Sequence, residues 1–211
     1  MQSAVKLFGA RYSVYVRIVL AVLHEKGVAY DLVPVDVFAK GGVTSDYLAR
    51  HPFGRIPAFE HDGFQIYETS AITRYVDEAF SGPTLQPTEL RDRTRMNQMV
   101  AMLDNYGYRP MVWDVYVERV VRAQDGVAPD EERIAGGVER SRTFLQALSD
   151  RANAGRWLAG TDLSLADLHA APIFDYFSQS PEGATLLREF PGLDDWWARI
   201  RLRPAVAAAL A

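Results

Sequence analysis

Cysteine is absent from the 211 residues, which removes disulfide frameworks, thiolate metal sites and any thiol nucleophile supplied by the protein. Runs of lysine and arginine are missing as well. The 23 basic residues stand against 27 acidic ones, for a formal charge of −4. Nucleic acid or an anionic membrane surface would need clustered positive charge, so neither is an expected partner. No apolar stretch approaches the ~20 residues of a membrane span; Ile18 to Leu23 is typical of the longest. Histidine is scarce, and His24, His51, His61 and His169 show no metal-ligand spacing. The opening MQSAVKLFGARYS lacks the charged start and apolar centre of a secretory signal, so a cytoplasmic protein is expected. A chain of this length holds one large domain or two small ones.

What the chain does have is concentrated in residues 51–76, HPFGRIPAFEHDGFQIYETSAITRYV. Asp62-Gly63 between two alternating runs predicts a two-residue hairpin turn, with one strand beginning at Ile56-Pro57 and the other ending at Tyr67-Glu68. Ile72, Tyr75, Val76, Ala79 and Phe80 then fall on one helical stripe. Between strand and stripe stand Glu68, Thr69 and Ser70. They put an acid and two hydroxyls where a helix leaves its first amides unpaired, a place that can hold an α-carboxylate and its neighbouring ammonium together.

Upstream, Val5 to Phe8 reads as a strand and Ser13 to Lys26 as a helix stopped by Gly27. Tyr30 to Val37 reads as a second strand whose Pro34 implies an edge or a bulge. Asp46 to Arg50 is a short helical turn. The order β-α-β, α, β-β-α is that of a thioredoxin-like domain, placed at 1–81. Residues 82–88 form a proline-rich linker with little to bury, and 89–211 contain no convincing strand. There Met96, Met99, Val100 and Leu103 start a stripe that Tyr106, Trp113, Tyr116 and Val120 extend past Pro110, where a kink is expected. Glu131 to Leu148 is another helix. Ser164 and Asp167 form a capping box, with Leu163 and Leu168 placed to staple the same helix start. The fold class is therefore α/β followed by all-α.

Ser13 stands where the loop after the first strand becomes a helix. On residues alone it is an N-cap worth ~1 kcal/mol. Its surroundings add a second meaning. The run Phe8 to Leu20, FGARYSVYVRIVL, resembles without a gap the serine-type glutathione transferases close to the plant phi class, whose active serine occupies this position. Arg17 falls on a basic residue common to that group. His51-Pro52-Phe53-Gly54-Arg55-Ile56-Pro57 resembles the family signature Asn-Pro-Phe-Gly-basic-Val-Pro, with His51 replacing asparagine. The capping box is similar to one in the family's helical domain. The resemblance covers nearly the whole chain.

That resemblance implies a fold, a co-substrate and a site. The fold is the glutathione transferase fold, and glutathione is the co-substrate. Ser13 would donate a hydrogen bond to the glutathione thiolate, which is the nucleophile. Pro57 would follow a cis bond and aim the backbone of Ile56 at the cysteinyl part. Glu68 and Thr69 would grip the γ-glutamyl end, and Arg55 the glycyl carboxylate. Tyr12, Phe38, Trp113 and Tyr116 would line a pocket for a small hydrophobic electrophile. Tyr15 would be packing or surface, because tyrosine-type relatives carry their phenol nearer Phe8. Phe53 is either core or a wedge between two copies, since a homodimer is implied. Gly42 and Val43 depart from the His and Lys that phi-like relatives use at the glycine end, and Lys40 lies nearby but out of register. Two alternatives stay open: a non-catalytic binding or scaffold protein on the same fold, and a glutathione-dependent isomerase, dehalogenase or ether-cleaving enzyme.

Overall fold

The computed structural model describes residues 4–152 and 156–211. Val5–Gly9 (β1) lies inside a four-stranded sheet, with Asp31–Pro34 (β2) parallel on one side and Ala58–His61 (β3) antiparallel on the other. Phe64–Tyr67 (β4) pairs antiparallel with β3, giving the order β2-β1-β3-β4. Asp62 and Gly63 join β3 to β4 with φ of 49° and 87°, the left-handed pair a tight hairpin demands. β2 is shorter than Tyr30 to Val37, although the Val35 amide still donates to the Gly9 carbonyl at 3.1 Å; Pro34, which has no amide, is tolerated because its nitrogen faces the open edge. β2 is the edge strand that Pro34 implied. β3 likewise starts at Ala58, beyond Pro57.

Three helices accompany the sheet within the first 84 residues. Val14–Glu25 (α1) is buried at Val14, Val16 and every position from Ile18 to Leu23, as a helix apolar on all sides must be. Ser45–Arg50 (α2) is capped by the Thr44 side chain. Thr69–Ala79 (α3) packs beside α1. Its inner face differs from the expected stripe. Ile72 and Val76 are buried, but Ala79 is exposed, and Thr73 and Asp77 fill the face instead. Periodicity in apolar residues misses polar ones that find a buried partner. Here that partner is Lys26, whose ammonium donates to the Asp77 carboxylate.

The contacts divide the chain into two units, Met1–Thr84 with Ala205–Ala211, and Leu85–Pro204. Leu85, expected in a linker with little to bury, is 1% exposed. Its carbonyl accepts the Leu165 amide within the second unit. That unit is helical: Leu90–Met102 (α4), two wide-register segments Leu103–Gly107 (π1) and Arg109–Val121 (π2), then Arg122–Gln124 (α5), Glu131–Ser149 (α6), Leu165–Ser178 (α7), Pro181–Leu187 (α8) and Pro191–Ile200 (α9). Pro204–Leu210 (α10) closes the chain, and its residues from Ala205 onward group with the first unit. Among the described residues the helical unit has no strand, only an isolated bridge between Trp157 and Gly160.

The change expected at Pro110 takes the form of a wider hydrogen-bonding register. This register moves the buried face. Leu103, Gly107, Met111 and Val115 point inward, whereas Tyr106 is exposed and Trp113, Tyr116 and Val120 are half-buried. The capping box forms at the start of α7, and its Asp167 does more than cap. The buried carboxylate accepts from the Ser164 amide and hydroxyl, the Leu158 amide and the Trp196 indole, at 2.8–2.9 Å.

Candidate active site

Sheet register gathers the predicted residues at one end of the first unit. Phe8 pairs with Val33 on one side and Ala58 on the other, and Ala58 pairs with Tyr67. Ser13 follows β1, Ile56-Pro57 precedes β3, Glu68 follows β4, and residues 36–38 follow β2, so four loops leave the sheet from the same edge. Gly9 fixes how closely they approach. A Cβ there would lie 2.5 Å from Val16 Cγ2 and 3.5 Å from Ile56 Cβ, so only glycine lets β1 pass between the first turn of α1 and the bend.

Ser13 is the N-cap of α1, with φ −79° and ψ 125°. Its Oγ accepts the Val16 amide at 3.4 Å, at the long end of hydrogen bonding. The loop behind it is tied on both sides. The Ser13 amide donates to the Ala10 carbonyl at 3.0 Å, and Arg17 Nε to the Arg11 carbonyl at 2.6 Å. Because Oγ accepts rather than donates in the cap, the hydroxyl proton has no acceptor among the described residues. Cap and donor are compatible roles for one oxygen.

The Ile56-Pro57 bond is cis. The bend that carries it is held from α2, where buried Tyr47 donates its phenol to the Arg55 carbonyl at 2.6 Å. Burial pushes that phenol up to about 12. The His51 carbonyl accepts the Gly54 amide at 2.9 Å. The Arg55 guanidinium is exposed and unpaired among the described residues. Phe53 is 70% exposed, which excludes the core reading of that residue.

Glu68 adopts φ 73° and ψ 113°, a conformation that costs a non-glycine residue on the order of 1–3 kcal/mol and concentrates at functional sites. Its carboxylate is exposed and caps nothing. The first helical bonds of α3 come from the Ala71 and Ile72 amides, so the Thr69 and Ser70 amides stand ahead of the ladder.

Tyr12 donates to Asp36 Oδ1 at 2.8 Å and accepts the Val37 amide at 3.3 Å, while the same Asp36 oxygen accepts the Phe38 amide at 2.9 Å. Burial and the Asp36 carboxylate together raise the Tyr12 phenol above its ordinary range. The Tyr12 and Phe38 rings lie 5.5 Å apart. Thus Tyr12 and Phe38 are brought together beside Ser13. In the second unit, Trp113 donates its indole N–H to the Tyr108 phenol at 2.9 Å, and Tyr116 stacks on Tyr176 at 4.4 Å. Sequence reasoning missed Asp36 and Tyr47. Asp36 carried a local signal, an aspartate two residues before the amide it turns onto, but nothing local ties it to Tyr12. Tyr47 carried none.

A four-stranded mixed sheet with this edge, followed by a helical unit, defines a protein of the thioredoxin-like class with an all-helical partner unit. Comparison with known proteins sharpens this. Residues 7–84 match the family model for the glutathione S-transferase N-terminal domain, and residues 83–204 that for the C-terminal domain. The chain belongs to the glutathione S-transferase family. It is 30% identical over 204 residues to glutathione S-transferase F13 of Arabidopsis thaliana, across 96% of this chain and 93% of that protein. Glutathione transferase F7 from Populus trichocarpa superposes with a TM-score of 0.85 at 33% identity, covering 99% of this chain and all of that one. The theta class glutathione S-transferase of Xanthomonas axonopodis pv. citri, solved with glutathione bound, superposes with a TM-score of 0.83 at 25% identity, covering 98% and 97% of the two chains.

Proposed function

We propose that the protein conjugates glutathione to small hydrophobic electrophiles, with Ser13 as the donor that stabilises the thiolate. One observation carries this reading: the Ser13 hydroxyl accepts the Val16 amide and keeps its own proton for another partner. A free thiol has a pKa of ~8.5, and lowering it by ~2 units takes about 2.7 kcal/mol of preference for the anion. A hydrogen bond to a charged partner supplies roughly 1.5–3 kcal/mol, and a helix N-terminus about 0.3–1 kcal/mol more. Together they suffice. The thiol proton leaves to solvent, sulfur attacks the electrophilic carbon, and for an aryl halide the carbon–halogen bond breaks as halide departs.

The other roles follow the edge of the sheet. Ile56 would present its backbone to the cysteinyl part, Glu68 and Thr69 would receive the γ-glutamyl group, and Tyr12 with Phe38 would form one wall for the electrophile. Gly41 and Gly42 hold φ of 101° and 75°, and a Cβ on Gly54 would touch Val43. This loop is thus built on glycine backbone and an apolar contact. Recognition of the glycyl carboxylate then falls to Arg55 and Lys40. We assign the protein to the cytoplasm as a homodimer, with exposed Phe53 as the wedge between copies; among the described residues no helix is long and apolar enough to cross a membrane.

The deciding experiment is conjugation of glutathione to an aryl halide across pH, native protein beside Ser13→Ala. Loss of one such donor predicts a drop of roughly 10- to 100-fold and a thiol ionisation moved toward its free value. An unchanged rate and pH profile would refute the assignment. Failure of the native protein to bind glutathione would leave the scaffold reading.

A further inference from the structure

His51 is the residue where the bend departs from the family signature, and the mechanism above does not use it. Its side chain is nevertheless embedded at the site. The residue is 3% exposed, and its ring lies 4.7 Å from that of Tyr67, 6.2 Å from Phe53 and 6.4 Å from Tyr47. Tyr67 is the neighbour of Glu68 in the chain, so the imidazole packs against the end of the strand that leads into the strained acid. Among the described residues His51 Nδ1 is buried without a hydrogen-bond partner. A neutral ring tolerates this, because Nδ1 can remain a bare acceptor with the proton on Nε2. A protonated ring does not, since it carries a second N–H that must find an acceptor.

We infer that His51 is a positioning residue that couples a proton to thiol binding: neutral, it leaves the Glu68 carboxylate to the ammonium of the ligand, and protonated, it competes for that carboxylate. The inference rests on the reading that Glu68 receives the γ-glutamyl ammonium. Among the described residues the charged and titratable groups around the ring are few. They are the Glu68 carboxylate, the Arg55 guanidinium, and the phenols of Tyr67 and Tyr47, the last already donated to the Arg55 carbonyl. Of these Glu68 favours the imidazolium, and so does the backbone of His51 itself. Burial outweighs both and pushes the imidazole below its ordinary range, with Arg55 acting in the same direction as burial. The ring is thus neutral at neutral pH and takes up its proton on acidification. An imidazolium there attracts Glu68 and repels the incoming ammonium, and by linkage a bound ammonium expels the proton from His51.

The test uses S-methylglutathione, which has no thiol to ionise, so Ser13 chemistry drops out. Calorimetry between about pH 7.5 and 5, the range in which histidine changes charge, should show native affinity falling several-fold as the imidazolium forms. His51→Asn, which restores the signature residue without a titrating group, should lose this dependence. Equal falls in the two proteins would overturn the inference and leave the function intact. Absence of binding to native protein at every pH would take down both. Should His51→Asn fail to fold, the His51 Cε1–H resonance of native protein can be titrated by NMR. Saturation with S-methylglutathione should move its midpoint to lower pH, and an unmoved midpoint would overturn the coupling.

Discussion

The phenol of Tyr47, on α2, donates to the carbonyl of Arg55 across 2.6 Å, one residue before Ile56. Tyr47 is 5% exposed, so the bond is shielded and its loss strands a carbonyl. Tyr47→Phe keeps the ring and removes only the donor. We expect a loss of about 1–2 kcal/mol in a urea unfolding titration. The KM for glutathione should rise several-fold with kcat little changed, because the bend positions the ligand and takes no part in ionising the thiol. An unchanged KM would mean that the bend holds its shape without Tyr47.

Gly9→Ala tests the close approach behind Ser13. The added methyl would meet Val16 Cγ2 at 2.5 Å, and Val16 is the residue whose amide caps on Ser13. Overpacking of this kind costs about 1–3 kcal/mol, measurable as a lowered thermal midpoint. Conjugation should fall more than stability alone explains, because the displaced first turn carries the Ser13 cap with it. Full activity with a reduced midpoint would separate packing from catalysis.

The third prediction concerns Lys26 and Asp77, whose side chains are 2% and 3% exposed with Nζ 3.1 Å from Oδ1. The same ammonium donates to the carbonyls of Asp77 and Pro83, each at 2.9 Å. It fastens the ends of α1 and α3 to the segment that follows. Lys26→Met takes the ammonium away from the buried Asp77 carboxylate, so it should cost about 3–5 kcal/mol. Lys26→Met with Asp77→Leu should recover much of that loss in a double-mutant cycle. A double variant as unstable as the sum of the singles would show that the pair is not coupled.

This pair also marks the limit of what the sequence shows. The hairpin, the Ser13 cap, the Ser164–Asp167 box and the bend ending in Pro57 were legible because each is encoded within a few residues: Asp-Gly for positive φ, a hydroxyl before an apolar run, an acid three residues after a serine. Their convergence was legible only through resemblance. Lys26 and Asp77 are 51 residues apart, and neither stands out among its neighbours. Asp77 occupies a buried position that apolar periodicity assigns to no one, and Leu85 sits in a segment whose prolines advertise a linker. The register shift from Leu103 onward carries no mark beyond Pro110. Consequently the inner face there was read as Tyr106, Trp113, Tyr116 and Val120 in place of Gly107, Met111 and Val115. Local chemistry is visible in sequence; long-range pairing of polar groups is not.

Asp114 supplies the final prediction, on acid stability. It lies on π2 with its side chain 6% exposed, and accepts from Arg133 Nε at 2.9 Å, Arg140 Nη2 at 3.0 Å and Arg109 Nε at 3.2 Å. Burial alone would push the carboxyl up, but the three guanidiniums overcome it and hold the group below the ordinary carboxylate range. The folded state therefore binds its proton less readily than the unfolded state does. The resulting stabilisation is complete above the unfolded pKa of ~3.9 and is lost as pH falls through the lower folded value. Each such carboxylate contributes a slope of at most about 1.4 kcal/mol per pH unit in that window. Asp114→Asn should lower stability near neutrality by about 2 kcal/mol, the scale of hydrogen bonds to a charged group. It should also flatten the decline below about pH 4 in urea titrations. Because Arg109 and Arg140 are largely exposed, added salt should weaken the native advantage at neutral pH. A variant whose acid decline is as steep as that of native protein would place the acid-sensitive charge elsewhere, with the Glu60 carboxylate, lowered by its hydrogen bond from Arg50, next in line.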